Sequence, residues 1–136
     1  MADIKIVYNG KLRTTSTHIQ SGDSILTDAP KDNKGKGEAF SPTDLFASSL
    51  GSCMLTIMGI TAKTHGLNID ESVVHIDKIM SKDPRRIASL NIVININGEL
   101  NEKHRRILIK AAEHCPVSKS IHPKVDKKII FNFSNK

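Results

Sequence analysis

The chain contains no tryptophan, and aromatic residues make up only 4% of its 136 residues. Stacking platforms for single-stranded nucleic acid are therefore poorly supplied. The net charge of +6 is read as a well-solvated basic surface, and any affinity for nucleic acid is expected to be weak and to vanish with salt. Cysteine is scarce as well: Cys53 and Cys115 are the only two. There is no Cys-x-x-Cys, and His18, His65, His75, His104, His114 and His122 form no metal-ligand spacing with either cysteine, so no metal is expected. The first residues, Met1-Ala2-Asp3-Ile4-Lys5-Ile6, carry no apolar run with a cleavage site. A cytoplasmic location is the corresponding expectation, and stable structural disulfides are uncommon there.

Charge is missing from one long stretch. Leu45 to Ala62 holds no Asp, Glu, Lys or Arg, which approaches the length of a membrane helix. It is nevertheless interrupted by Ser48, Ser49, Gly51, Ser52, Thr56, Gly59 and Thr61, and its ends lack aromatic and basic anchors. The expectation is no membrane span but a helix buried on all sides in a soluble core. Length and composition give one domain over residues 1–136, with no internal repeat.

The pattern along the chain predicts an α+β fold. Ile4, Ile6 and Tyr8 alternate with polar residues before a turn at Asn9-Gly10. Strands over Lys11 to Gln20 and Ser24 to Asp28, joined by Ser21-Gly22-Asp23, complete an antiparallel meander. Pro30 to Glu38 has no apolar anchor and reads as a mobile surface loop. Ser41 as N-cap, Pro42 at the first helical position and Asp44 as the capping-box acid start a long helix that ends near His65, with Gly66 as its C-cap. A hairpin of Glu71 to Met80 and Arg86 to Asn97 follows, its second strand buried on one face through Leu90, Ile92, Ile94 and Ile96. Asn101 caps a second helix over Glu102 to about Cys115. Ile107, Leu108, Ala111, Ala112 and Cys115 form its core stripe. Pro116 ends it, Val117 to Ile121 add a short turn, and Ile129, Phe131 and Phe133 mark the last strand. The run Lys124 to Lys128 reads as a solvated face.

Each cysteine sits where it could be buried, and the two could close into a disulfide, which makes thiol redox chemistry the leading reading. A thiol reacts as its thiolate and needs something to favour that form. Cys53 lies about three turns inside its helix, beyond the reach of the helix dipole. A cation must therefore come from elsewhere, and arginine keeps its charge when desolvated. Arg13 is the only arginine in the N-terminal strands. Arg85 and Arg86 lie at the hairpin tip, and Arg105 and Arg106 at the start of the second helix.

The segment from Ser41-Pro42-Thr43-Asp44-Leu45 through Gly51-Ser52-Cys53 resembles the first-cysteine helix of the OsmC/Ohr family. Cys115-Pro116-Val117-Ser118-Lys119 resembles that family's second-cysteine motif, and the order of elements fits over essentially the whole chain. The resemblance implies an OsmC-like fold: antiparallel sheets packed around two main helices, the first long and central, in an intertwined homodimer. It implies thiol-dependent reduction of organic hydroperoxides. Cys53 would be the peroxidatic cysteine, Cys115 the resolving one and Arg13 the catalytic arginine. A Cys53 sulfenate would lead to a Cys53–Cys115 disulfide, reopened by an external dithiol. Leu50, Met54 and Ile57 are the expected substrate walls. Members with well-defined peroxidase activity carry a glutamate directly after the proline. Here that position is Thr43, so the arginine is expected to lack its carboxylate orienter. The alternative is a small-ligand-binding protein on the same fold, with passive cysteines.

Overall fold

Apolar residues at every second position, broken by Gly and Asp, form a meander in the computed structural model, which describes residues 2–134. The expected domain over 1–136 thus includes Met1, Asn135 and Lys136, which lie outside the described residues. Two compact units divide the chain, residues 1–46 and 47–136.

In the first unit, β1 (Ile4–Gly10), β2 (Arg13–His18) and β3 (Ser24–Asp28) form an antiparallel sheet in that order. The first turn sits at Lys11-Leu12, two residues beyond the expected Asn9-Gly10. Both turn residues take positive φ, 57° and 64°, as a two-residue hairpin whose twist matches its strands requires. Asn9 is retained in the strand end, where its amide donates to Thr15 Oγ1 at 2.6 Å. The glycine-rich loop after β3 is more tied down than its composition suggests. It contains a short 3-10 turn, Lys31–Asn33. Gly35 and Gly37 donate to Pro30 and Ala29 carbonyls, and Glu38 N–H donates to the buried Asp28 carboxylate at 3.0 Å. Polar anchors replace the missing apolar ones. Among residues 2–46 no apolar side chain is buried.

The capping box forms as its residues predict. Ser41 N–H donates to Asp44 at 3.0 Å, and Asp44 N–H donates back to Ser41 Oγ at 3.1 Å. They open α1 (Pro42–Thr64), and Gly66 with φ 67° closes it. This helix is long and apolar enough to cross a membrane by length and composition. It is not buried on all sides. Ala47, Leu50, Gly51, Met54, Met58 and Ala62 form one buried stripe, while Ile60 on the opposite side is 59% exposed.

In the second unit, β4 (Val73–Ser81), β5 (Arg86–Ile96) and β6 (Asp126–Phe133) form a second sheet with β5 in the centre. Leu90, Ile92, Ile94 and Ile96 are the expected buried face of β5. α1 lies against β4 so closely that a Cβ on Gly51 would come within 2.8 Å of Ile76 Cδ1. α2 (Glu102–Glu113), capped by Asn101, adds Leu108 and Ala112 to the same core. One strand direction departs from expectation: β6 runs parallel to β5. The chain leaves β5 at Ile96, crosses through α2 and re-enters the sheet at Asp126 beside Ser89, at the opposite end, and such crossovers join parallel strands.

Candidate active site

Cys53 lies half-buried on α1, beside the buried stripe. Cys115 is fully buried. It does not belong to the second helix, as its place on the apolar stripe suggested. α2 stops at Glu113 because Pro116 has no N–H to extend it. Cys115 instead caps the next short helix, α3 (Pro116–Ser120), and its Sγ accepts from Ser118 N–H at 3.3 Å. After the break the Cys115 sulfur lies near enough to Cys53, which packs against the same core from α1, for the two side chains to interact. Both thiols are free. The structure thus brings two distant cysteines together.

Burial pushes the Cys115 thiol up from its ordinary value, and the neighbouring Cys53 adds to that. The Ser118 N–H and the charge of Lys127 act the other way. Lys127 is the residue that sequence reasoning missed. Its ammonium donates to Ser118 Oγ at 2.8 Å and to the Ser118 carbonyl at 3.1 Å. It is half-buried, whereas Asp126 and Lys128 on either side are exposed, so Lys124 to Lys128 is not a uniformly solvated face. The signal was in the alternation: Lys127 shares the inward phase of β6 with Ile129, Phe131 and Phe133.

Arg13 is fixed in the first unit. Its Nη2 donates to Glu38 at 2.6 Å and to Asp28 at 3.4 Å. Glu38, then Asp28, holds the guanidinium above its ordinary pKa. The arginine therefore has carboxylate partners, but from the end of β3 and the following loop rather than from position 43. Thr43 is engaged at the start of α1, its Oγ1 lying 3.1 Å from Ser41 Oγ. Arg86 and Arg105 serve elsewhere. Arg86 donates to the Ile87 carbonyl, and Arg105 lies 5.2 Å from the centre of the Phe133 ring. The expected substrate walls also divide: Leu50 and Met54 are buried in the core, and Ile57 alone of the three is half-buried.

A family model described as OsmC-like protein matches residues 35–129, which include both cysteines. A crystal structure from Psychrobacter arcticus, of a protein named for an osmotic stress induced and detoxification response, is similar at 49% identity. It covers 97% of this chain and 96% of that one, with a TM-score of 0.93. An organic hydroperoxide resistance protein, OsmC, from Legionella pneumophila shares the fold with a TM-score of 0.69. It is 19% identical over 97% of this chain and 99% of that one. An uncharacterised protein of Methanocaldococcus jannaschii is 27% identical over 71% of the chain. The chain spans about half the length of that curated relative, 53%. With the family match running over most of its length and a close structural counterpart over nearly all of it, the chain belongs to the OsmC-like family.

Proposed function

We propose that the protein is a thiol peroxidase that reduces organic hydroperoxides. The observation that carries this reading is the pairing of a half-buried Cys53 with a fully buried Cys115, both as free thiols. The name of the Legionella pneumophila structure, an organic hydroperoxide resistance protein, supports it. The Cys53 thiolate attacks the terminal peroxide oxygen. The O–O bond breaks, and the alkoxide leaves and is protonated to an alcohol. Cys53 becomes a sulfenic acid, which Cys115 attacks with loss of water to give the disulfide. An external dithiol then returns both thiols. Arg13 is assigned the task of stabilising the Cys53 thiolate and the developing alkoxide, with Asp28 and Glu38 fixing its guanidinium.

The working form is assigned as a homodimer. Ile4, Ile6, Tyr8 and Leu26 are each more than half exposed, and residues 2–46 bury no apolar side chain. A three-stranded sheet needs an apolar surface to cover it, and a second copy is the occupant this reading gives it. The reading places the protein in the cytoplasm, in the response to oxidative stress.

Assays with cumene hydroperoxide and a dithiol test the reading. Turnover is expected, with organic hydroperoxides preferred over hydrogen peroxide. No turnover with any peroxide, in protein with two free thiols, favours the ligand-binding alternative.

A further inference from the structure

A buried disulfide sulfur is a poor leaving group unless something receives its charge. When a thiolate opens a disulfide, the sulfur that departs faster is the one whose thiolate is better stabilised. Cys115 is fully buried, whereas Cys53 retains access to solvent. Attack from outside therefore falls on Cys53, and Cys115 must leave. The only cation that acts on Cys115 among the described residues is Lys127 on β6. Lys127 is anchored by two hydrogen bonds to Ser118, whose own N–H points at the Cys115 sulfur. No carboxylate among the described residues pairs with Lys127.

We propose that Lys127 is a positioning residue for the reductive half of the cycle, holding Cys115 as the leaving sulfur when a dithiol reopens the Cys53–Cys115 disulfide. The inference rests on the peroxidase reading for the existence of that disulfide. A reductant thiolate bonds to Cys53 Sγ, and the S–S bond breaks with its electron pair moving to Cys115 Sγ. The resulting thiolate accepts from the Ser118 N–H, and the charge of the Lys127 ammonium, held on Ser118, favours it. The second thiol of the reductant then closes on the first as a thiolate. The reductant leaves as its disulfide, Cys53 is released as a thiolate, and the two protons given up by the dithiol restore the two thiols. Burial first, and then three groups, set the ionisation of Cys115: the Ser118 N–H in α3, Cys53 on α1 and Lys127 on β6.

The test uses full-length protein oxidised with diamide, so it needs no peroxide turnover. Lys127→Met is expected to slow reduction of the disulfide by dithiothreitol roughly three- to tenfold, while Lys127→Arg stays close to wild type. In a Cys53→Ser background, thiolate absorbance against pH is expected to show Cys115 ionising at higher pH in Lys127→Met but not in Lys127→Arg. A role confined to holding α3 in place would leave that titration unmoved. Lys127→Gln, which keeps a donor for Ser118 without the charge, is a second variant should the methionine fail to fold. With 2-mercaptoethanol as the probe, the mixed disulfide is expected on Cys53. Unchanged titration and reduction in Lys127→Met, a mixed disulfide on Cys115, or a disulfide that diamide cannot close would each overturn the proposal. Failure of the peroxidase reading shows separately, as absent hydroperoxide turnover in protein whose diamide disulfide behaves as expected.

Discussion

The Arg13 guanidinium donates to Glu38 across 2.6 Å, joining β2 to a loop 25 residues further along. Asp28, buried at the end of β3, accepts from the same nitrogen and from Glu38 N–H. Asp28 thus orders the arginine and the outer carboxylate together. Asp28→Asn is expected to lower kcat/KM for cumene hydroperoxide more than Glu38→Gln, because the Glu38 carboxylate is exposed and screened. Arg13→Ala is expected to lose on the order of 100-fold. Equal, negligible effects of all three variants would remove Arg13 from the reaction.

Co-refolding a Cys53→Ser variant with an Arg13→Ala variant asks which chain supplies the arginine. Activity restored in the mixed dimer would mean that Arg13 acts across the interface, and no recovery would assign it to its own Cys53. Sedimentation as a stable monomer at micromolar concentration would contradict the dimer.

One equivalent of cumene hydroperoxide is expected to remove two thiols per chain, read by mass spectrometry after alkylation. Cys115→Ser is expected to stop at a Cys53 sulfenic acid that dimedone traps. A sulfenic acid that persists on Cys53 in the unaltered protein would take Cys115 out of the resolving role.

The reduced protein is expected to lose stability as pH rises above the ordinary thiol value of 9.0. Burial raises the folded Cys115 above that value. Just beyond it the unfolded chain has released its proton while the folded chain still holds one, so rising pH favours unfolding. The loss continues until the folded thiol itself ionises. Urea midpoints of wild type and Cys115→Ser, compared from pH 7 upward, isolate this contribution. Parallel curves would show that burial does not restrain the thiol.

Leu108→Ala is expected to cost about 2–5 kcal/mol, since Leu108 is fully buried where α2 meets the core. Denaturant unfolding monitored by circular dichroism reads it directly. A loss below about 1 kcal/mol would mean that α2 contributes little to the second unit.

Local chemistry is what the sequence displayed best. The Ser41–Asp44 box, the Gly66 cap, the Asn101 cap and the period-two face of β5 all depend on residues within a few positions of each other, and all form as read. Directions and partners set over longer distances were hidden. The parallel pairing of β6 follows from where the crossover returns, which no strand pattern encodes. The Glu38 partner of Arg13 depends on how a polar loop folds back. Lys127 was concealed by its company: four lysines and acids in five positions look solvated until the strand phase is applied. The two cysteines were visible from the start, but Cys115 owes its orientation to the helix break at Pro116 rather than to the stripe of α2.

The pairing of β6 on β5 places Leu90 beside Lys127 and Ile92 beside Ile129. A strand has only two phases, and a slip of one residue exchanges them. Moved one way, Lys128 would take the inward place, and the thiol pair would still face an ammonium. Moved the other way, Asp126 would arrive there and present the sulfur with a charge of the wrong sign. The count of residues between α3 and β6 is thus a matter of parity as well as reach. Inserting a single residue there could leave every side chain near the cysteines unmutated and still reverse the field they experience.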